Sequence, residues 1–311
     1  MSSRLSECFL EVSRGDPALE EKLLKFVQQY YATRIALSNT DYFDDSRKVT
    51  FGATAGWIKG MLDNPHIHDE DYNIFRGFQN TESIILDVGA NWGYSAGAFI
   101  KLGVKAKIIS FEPIGAFESA LLELRRRYPR AFSFYLTGLG ERQELLNFIV
   151  PVVNGRANSG LCSASESPFF EGLVKNIIFA VKANHDIGDW LKIQFFDFTG
   201  QVSTLDQLVP LILEPELRAL PIEAIKIDVE GLECKVLRGG QTLLQRHRPM
   251  ILAEGANRTA GITELMEALG YVYAERDGDW LCEYSGLGRH SNGFFIHKSR
   301  CDEYRSVGIL R

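Results

Sequence analysis

Five acids stand at the ends of apolar runs, where a carboxylate can accept a proton, ligate a divalent cation or hydrogen-bond a sugar hydroxyl. Asp87 and Glu112 close the runs SIILDVG (83 to 89) and AKIISFE (106 to 112). Asp228 and Glu230 close EAIKIDVEG (223 to 231), and Glu254 closes PMILAEG (249 to 255). Behind Asp87 comes LDVGANWGYSAG, in which Gly89 and Gly93 bracket a turn into a helix whose first N–H groups can meet a carboxylate or phosphate. The dinucleotide fingerprint G-x-G-x-x-G fails here, because the positions two and five after Gly89 are Asn91 and Tyr94.

Ligands of open α/β sheets bind outside the carboxyl ends of the strands, which places Asp228, Glu230 and Glu254 at such an end. They read as a general base or a divalent-metal site. The competing reading is that some cap the following helices, Glu230 above all, since it precedes Gly231 and a helix start. Lys226 can pair with one of the acids or contact substrate, and His185 and Asn257 are weaker candidates for the acceptor side. His66 and His68 with Asp69 or Asp71 could hold a metal, but in so polar a loop they read as a solvated cluster. Trp190 and FFDF (195 to 198) read as a packed strand before an acceptor pocket, and the arginines 125 to 127 as a solvated helix face.

The elements that must carry these residues follow from periodicity. Strands are expected at 83 to 89, 106 to 112 and 132 to 138, with helices starting near Gly93 and Gly115, giving the βαβαβ half of a doubly wound sheet. After Glu141 the runs LLNFIVPVV, NIIFAVKA and KIQFFDF read as strands in hairpins or an insertion, at about 150 to 200. Order then resumes as a strand at 223 to 231, a helix at 233 to 247, a strand at 249 to 255, a helix at 262 to 270 ending on Gly270, and closing strands in YVYAER and NGFFIHK. Asp16 and Pro17 open an amphipathic helix running to about 37, and residues 41 to 80 read as loops and short helices. The expected fold is α/β: a Rossmann-like sheet with helices on both faces over 81 to 311, preceded by a mainly helical appendage over 1 to 80.

In the order LDVGANWGYS, SFEP, STLDQL (203 to 208), IKIDVEGLECKVLRGG and RPMILAE, the sequence resembles the FkbM family of S-adenosylmethionine-dependent methyltransferases over roughly residues 80 to 300. The resemblance implies a class I methyltransferase sheet. It implies that Asp87, Gly89, Asn91 and Gly93, with Ala90 and Ser95 in the same stretch, surround the methionine end of the cofactor. It further implies that Glu112, followed by Pro113, holds the ribose, and that Gly138 and Leu139 approach the adenine. The implied activity is O-methylation of a sugar or natural product.

The 311 residues, 45% hydrophobic and 24% charged, fit a globular protein of one or two domains and exclude disorder and a disulfide-stapled miniprotein. A net charge of −6 lacks the basic excess of a nucleic-acid binder. Five dispersed cysteines suit a reducing compartment, and no apolar run is long enough for a signal peptide or a membrane span, so a cytoplasmic protein acting on a small-molecule or glycan acceptor is expected. No oligomeric state is expected from the sequence. Because no neutral metal-ligand motif stands beside the acids, the base reading of Asp228, Glu230 and Glu254 is preferred to the metal one. The competing classes are a nicotinamide-dependent oxidoreductase and an inactive methyltransferase-like binding scaffold.

Overall fold

The computed structural model describes residues 35–37, 55–153, 156–157, 162–164, 193–256, 261–284 and 292–311. They divide into two compact units, one within residues 1–51 and 146–200, the other within 52–145 and 201–311. Strands and helices are numbered in chain order. A first sheet contains β1 (Ile35–Leu37), β6 (Glu144–Val153), β7 (Arg156–Ala157), β8 (Ser163–Ala164) and β9 (Ile193–Ser203). β6 turns back on β7 in an antiparallel hairpin, Val152 opposite Ala157, while β1 runs parallel to β9. The amphipathic helix expected to reach residue 37 therefore gives way to a strand at Ile35, where pairing with β9 outweighs local propensity. The rest of that helix, and NIIFAVKA, lie outside the described residues. Phe196 and Phe198 are fully buried, as a packed strand requires.

The second sheet has eight strands in the order β13-β12-β14-β11-β10-β2-β3-β4. Its parallel centre is β2 (Ile84–Val88), β3 (Lys107–Phe111), β4 (Phe132–Tyr135), β10 (Ile222–Ile227) and β11 (Met250–Ala253). β12 (Tyr271–Asp277), β13 (Trp280–Glu283) and β14 (Gly293–His297) close one side with antiparallel pairings. β2 is apolar on both faces because both are covered: Ile85 faces one core cluster, Ile84 and Leu86 the other. The chain leaves β2 toward β3 on one side and returns to β10 on the other, so the strand order reverses at β2 and the carboxyl ends of β2 and β10 form the crevice where such sheets bind ligands.

On one face pack α1 (Ala55–Asp63), α2 (Tyr94–Lys101), α3 (Glu118–Arg127) and the 3-10 helix Glu70–Phe78. On the other lie α4 (Leu205–Ile212), α5 (Glu233–Arg238), α6 (Gln241–His247) and α7 (Ile262–Ala268). Residues 55–78, expected within the appendage, are part of the large sheet's own unit: Ile58, Tyr72, Ile74, Phe75 and Phe78 are buried in its core, with Phe75 stacked on Phe99 at 4.3 Å. Each such side chain contributes about 1.5 to 3 kcal/mol of burial, enough to dock a segment with little regular structure of its own. The single helix expected at 233 to 247 is two, α5 and α6, divided at Gly239 and Gly240. A Cβ on Gly239 would strike the Gly140 carbonyl oxygen, so the chain there approaches its neighbour more closely than any side chain permits.

Candidate active site

The glycine loop is built from three left-handed residues, Gly89 (φ 79°), Asn91 (φ 51°) and Gly93 (φ 82°). Only glycine fits at 89, because a Cβ there would overlap the Asp228 carbonyl at the end of β10. The N–H groups of Gly89 and Ala90 both donate to the Phe111 carbonyl at 3.0 Å, tying the loop to the end of β3. Glu112, one residue further, completes the tie: one carboxylate oxygen accepts from Asn91 N–H at 2.8 Å, the other from Ile114 N–H at 2.8 Å. At 4% exposure, burial pushes its pKa up to about 7 against the pull of these two N–H groups.

Beneath the loop Asp87 is fully buried and accepts from the Ser95 and Ser110 hydroxyls, each at 2.7 Å. Lys226, on β10, reaches the same carboxylate on the neighbouring β2 at 3.4 Å and Asp228 at 3.3 Å, and donates to the Gly89 carbonyl at 2.7 Å. Its side chain is 3% exposed. Burial works against the ammonium, but Asp228 and Asp87 more than offset it and hold Lys226 protonated above its ordinary range. The expectation that Lys226 pairs with an acid is met twice over. Asp87 and Ser95 thus support the loop from below, through each other and Lys226.

Asp228, Glu230 and Glu254 converge, with one oxygen from each lying within 4.8 Å of the others. Burial raises Asp228, yet Lys226 and a hydrogen bond from Glu254 pull it below the usual carboxylate range. Glu254 moves the opposite way: its bond to Asp228, then burial, raises it, so the proton in this pair rests on Glu254. Burial and repulsion from Asp228 and Glu233 push Glu230 up to about 8. Glu230 is held in the left-handed region at φ 54°.

Of the cofactor candidates further along, Gly138 and Leu139 form β5 (Gly138–Leu139), paired with Val202 and Ser203, and a Cβ on Gly138 would stand 3.2 Å from Pro113. The Leu139 side chain lies in the core. His185, Trp190 and Asn257 lie outside the described residues. His66, His68, Asp69 and Asp71 do not converge on a metal: Asp69 caps the 3-10 helix by accepting from Asp71 N–H, and Asp71 pairs with Arg276 at 2.7 Å. The His68 ring packs against Tyr72 and Tyr94, each at 5.2 Å. Arg126 and Arg127 pair with Glu123, and Arg125 lies over the Phe134 ring. Sequence reasoning passed over Ser110, the second hydroxyl on Asp87, and Glu233, a fully buried acid whose carboxylate accepts from Val229 and Gly231 N–H. The signal for Glu233 is an acid at a helix start, the same signal that Glu230 gives three residues earlier.

Among the described residues no helix is long and apolar enough to cross a membrane. No curated protein matches the sequence. Among solved structures, the chain is similar to methyltransferase FkbM from Methylobacillus flagellatus KT at 15% identity and a TM-score of 0.40, over 70% of this chain and 44% of that one, so it spans less than half of that protein. It is also similar to precorrin-6y C5,15-methyltransferase from Geobacter metallireducens GS-15, at 9% identity and a TM-score of 0.34, over 72% of this chain and 83% of that one. The family model of the methyltransferase FkbM domain matches residues 87–273, from the acid under the glycine loop to β12, and the chain belongs to that family of methyltransferases.

Proposed function

We propose that the protein transfers a methyl group from S-adenosylmethionine to a hydroxyl of a small-molecule or glycan acceptor, a sugar or natural product. One observation carries this reading: Lys226 joins the glycine loop, through the Gly89 carbonyl, to the acid cluster, through Asp228, at neighbouring strand ends. The residues suit the cofactor. A carboxylate has about four acceptor positions, and Glu112 with its two backbone donors keeps capacity for the two hydroxyls of a ribose. Gly93 caps α2 without a side-chain acceptor, which leaves the helix start suited to an amino-acid carboxylate. Bound there, S-adenosylmethionine supplies an electrophilic methyl on a positively charged sulfur.

The chain's own residues then have two tasks, alignment and proton removal. The acceptor's alcohol oxygen must be held in line with the methyl that the cofactor would supply, and its proton must pass to a carboxylate. Glu230 is suited to take it, since its raised pKa makes the ionised form a stronger base than an ordinary carboxylate. Glu254 keeps its own proton and donates it in a hydrogen bond to Asp228, which Lys226 keeps ionised. A second reading is favoured by the convergence itself: three carboxylate oxygens within 4.8 Å form a hard-cation donor set for magnesium or manganese. The base reading is preferred because Lys226 already supplies a compensating positive charge 3.3 Å from Asp228.

Methyl-labelled S-adenosylmethionine incubated with the protein and a small-molecule extract of the source cells tests this. The base reading predicts label transfer that survives chelator and rises with pH through one ionisation near 8. Loss of transfer on chelation, restored by magnesium or manganese, selects the metal reading. No transfer to any fraction contradicts both.

A further inference from the structure

We propose that Glu233 is a positioning residue for Glu230, an inference that rests on the reading of Glu230 as a working acid of the site. Glu230 sits at φ 54°, a conformation that persists in a non-glycine residue only where its surroundings impose it. The imposing group is identifiable. The N–H before Glu230, on Val229, and the N–H after it, on Gly231, both donate to the same oxygen of Glu233, at 3.1 and 3.0 Å. Glu233 is fully buried at the first position of α5, whose packing against the sheet fixes it in turn. The two bonds clamp the backbone on either side of Glu230, and Gly231 at φ 95° completes the turn.

Relaxed to an ordinary right-handed or extended conformation, Glu230 would carry its side chain away from Asp228 and Glu254. Glu233 stands outside that cluster and acts on Glu230 in two ways, through its charge and through the backbone geometry; the aspartate variant keeps the charge and withdraws the clamp, the glutamine variant the reverse. The glycine loop uses the same device: Glu112 accepts from the N–H of Asn91, itself left-handed at φ 51°. In both cases a buried glutamate holds a strained residue at the carboxyl end of a central strand.

The test compares Glu233→Ala, Glu233→Asp and Glu233→Gln. Alanine removes the acceptor, aspartate withdraws it by one methylene, and glutamine retains a carbonyl able to accept both N–H groups. Three readouts are taken: amide exchange at Val229 and Gly231, affinity for S-adenosylhomocysteine by calorimetry, and label transfer to the extract. Glu233→Ala and Glu233→Asp should speed exchange at both amides and cut transfer by roughly tenfold or more, with affinity within about threefold of wild type. Glu233→Gln should stay within about threefold on all three. If the alanine variant does not fold, the aspartate variant decides. Wild-type transfer in the aspartate variant, parallel loss of affinity and transfer, or failure of the glutamine variant equal to that of aspartate would overturn the proposal. A wild-type protein that neither binds S-adenosylhomocysteine nor transfers label refutes the functional reading instead, while amide exchange still judges the clamp.

Discussion

Glu112 carries opposite demands, since it is almost fully buried and yet is expected to hold two ribose hydroxyls in its charged form. Glu112→Ala should therefore weaken binding of S-adenosylmethionine by roughly 1 to 3 kcal/mol, the range for lost charged hydrogen bonds. Calorimetry on the folded variant checks this, and unchanged affinity removes Glu112 from the cofactor site. Asp228→Asn and Glu230→Gln should behave differently, lowering turnover by about a hundredfold while leaving cofactor affinity nearly unchanged. Glu230→Gln should also remove the rise in rate near pH 8. The five acids were legible because each ends a strand that can itself be read. That Lys226 pairs with an acid was legible too, but its joint hold on Asp87 and Asp228 and the partners of Glu233 were not, since they depend on how β10 lies against β2 and on a left-handed turn that no periodicity announces.

The elements show the same division. The βα alternation from residue 83 is written in apolar runs of strand length, and the sheet follows it. What escaped was set by contacts between elements: the strand at Ile35, the docking of residues 55–78, and the break between α5 and α6. The break yields a prediction. Gly239→Ala should destabilise the fold by roughly 2 kcal/mol or more, because the Gly140 backbone cannot yield as a side chain would. Gly60→Ala is the control: nothing lies within 4 Å of its Cβ on α1, so it should stabilise by about 0.5 to 1 kcal/mol. Urea unfolding of both variants measures the difference, and equal effects would contradict the close approach at Gly239.

For the whole molecule, the gathering of raised acids costs stability as pH rises. Glu112 is pushed up to about 7 and Glu230 up to about 8, with Glu254 also raised. The folded chain thus keeps protons that unfolded carboxyls have released near 4.5. Stability should fall with pH wherever the folded state binds more protons. His68, His247 and His297 are lowered and act in the opposite sense, but their effect is complete once they are neutral in both states. Between about pH 7 and 8.5 the acids should dominate, with a loss of up to roughly 1.4 kcal/mol per pH unit for each acid still protonated in the folded state. Glu230→Gln should flatten that slope in urea unfolding series, and an identical slope in the variant would contradict the raised pKa.

The most direct measurement of the central claim is a calorimetric titration of the wild-type protein with S-adenosylhomocysteine and, separately, with NAD. A glycine loop without the dinucleotide spacing, backed by Glu112 and Lys226 and set in a methyltransferase family domain, predicts a single site for S-adenosylhomocysteine and no saturable binding of NAD. Binding of NAD at that site, or no binding of S-adenosylhomocysteine by the folded protein, would contradict it.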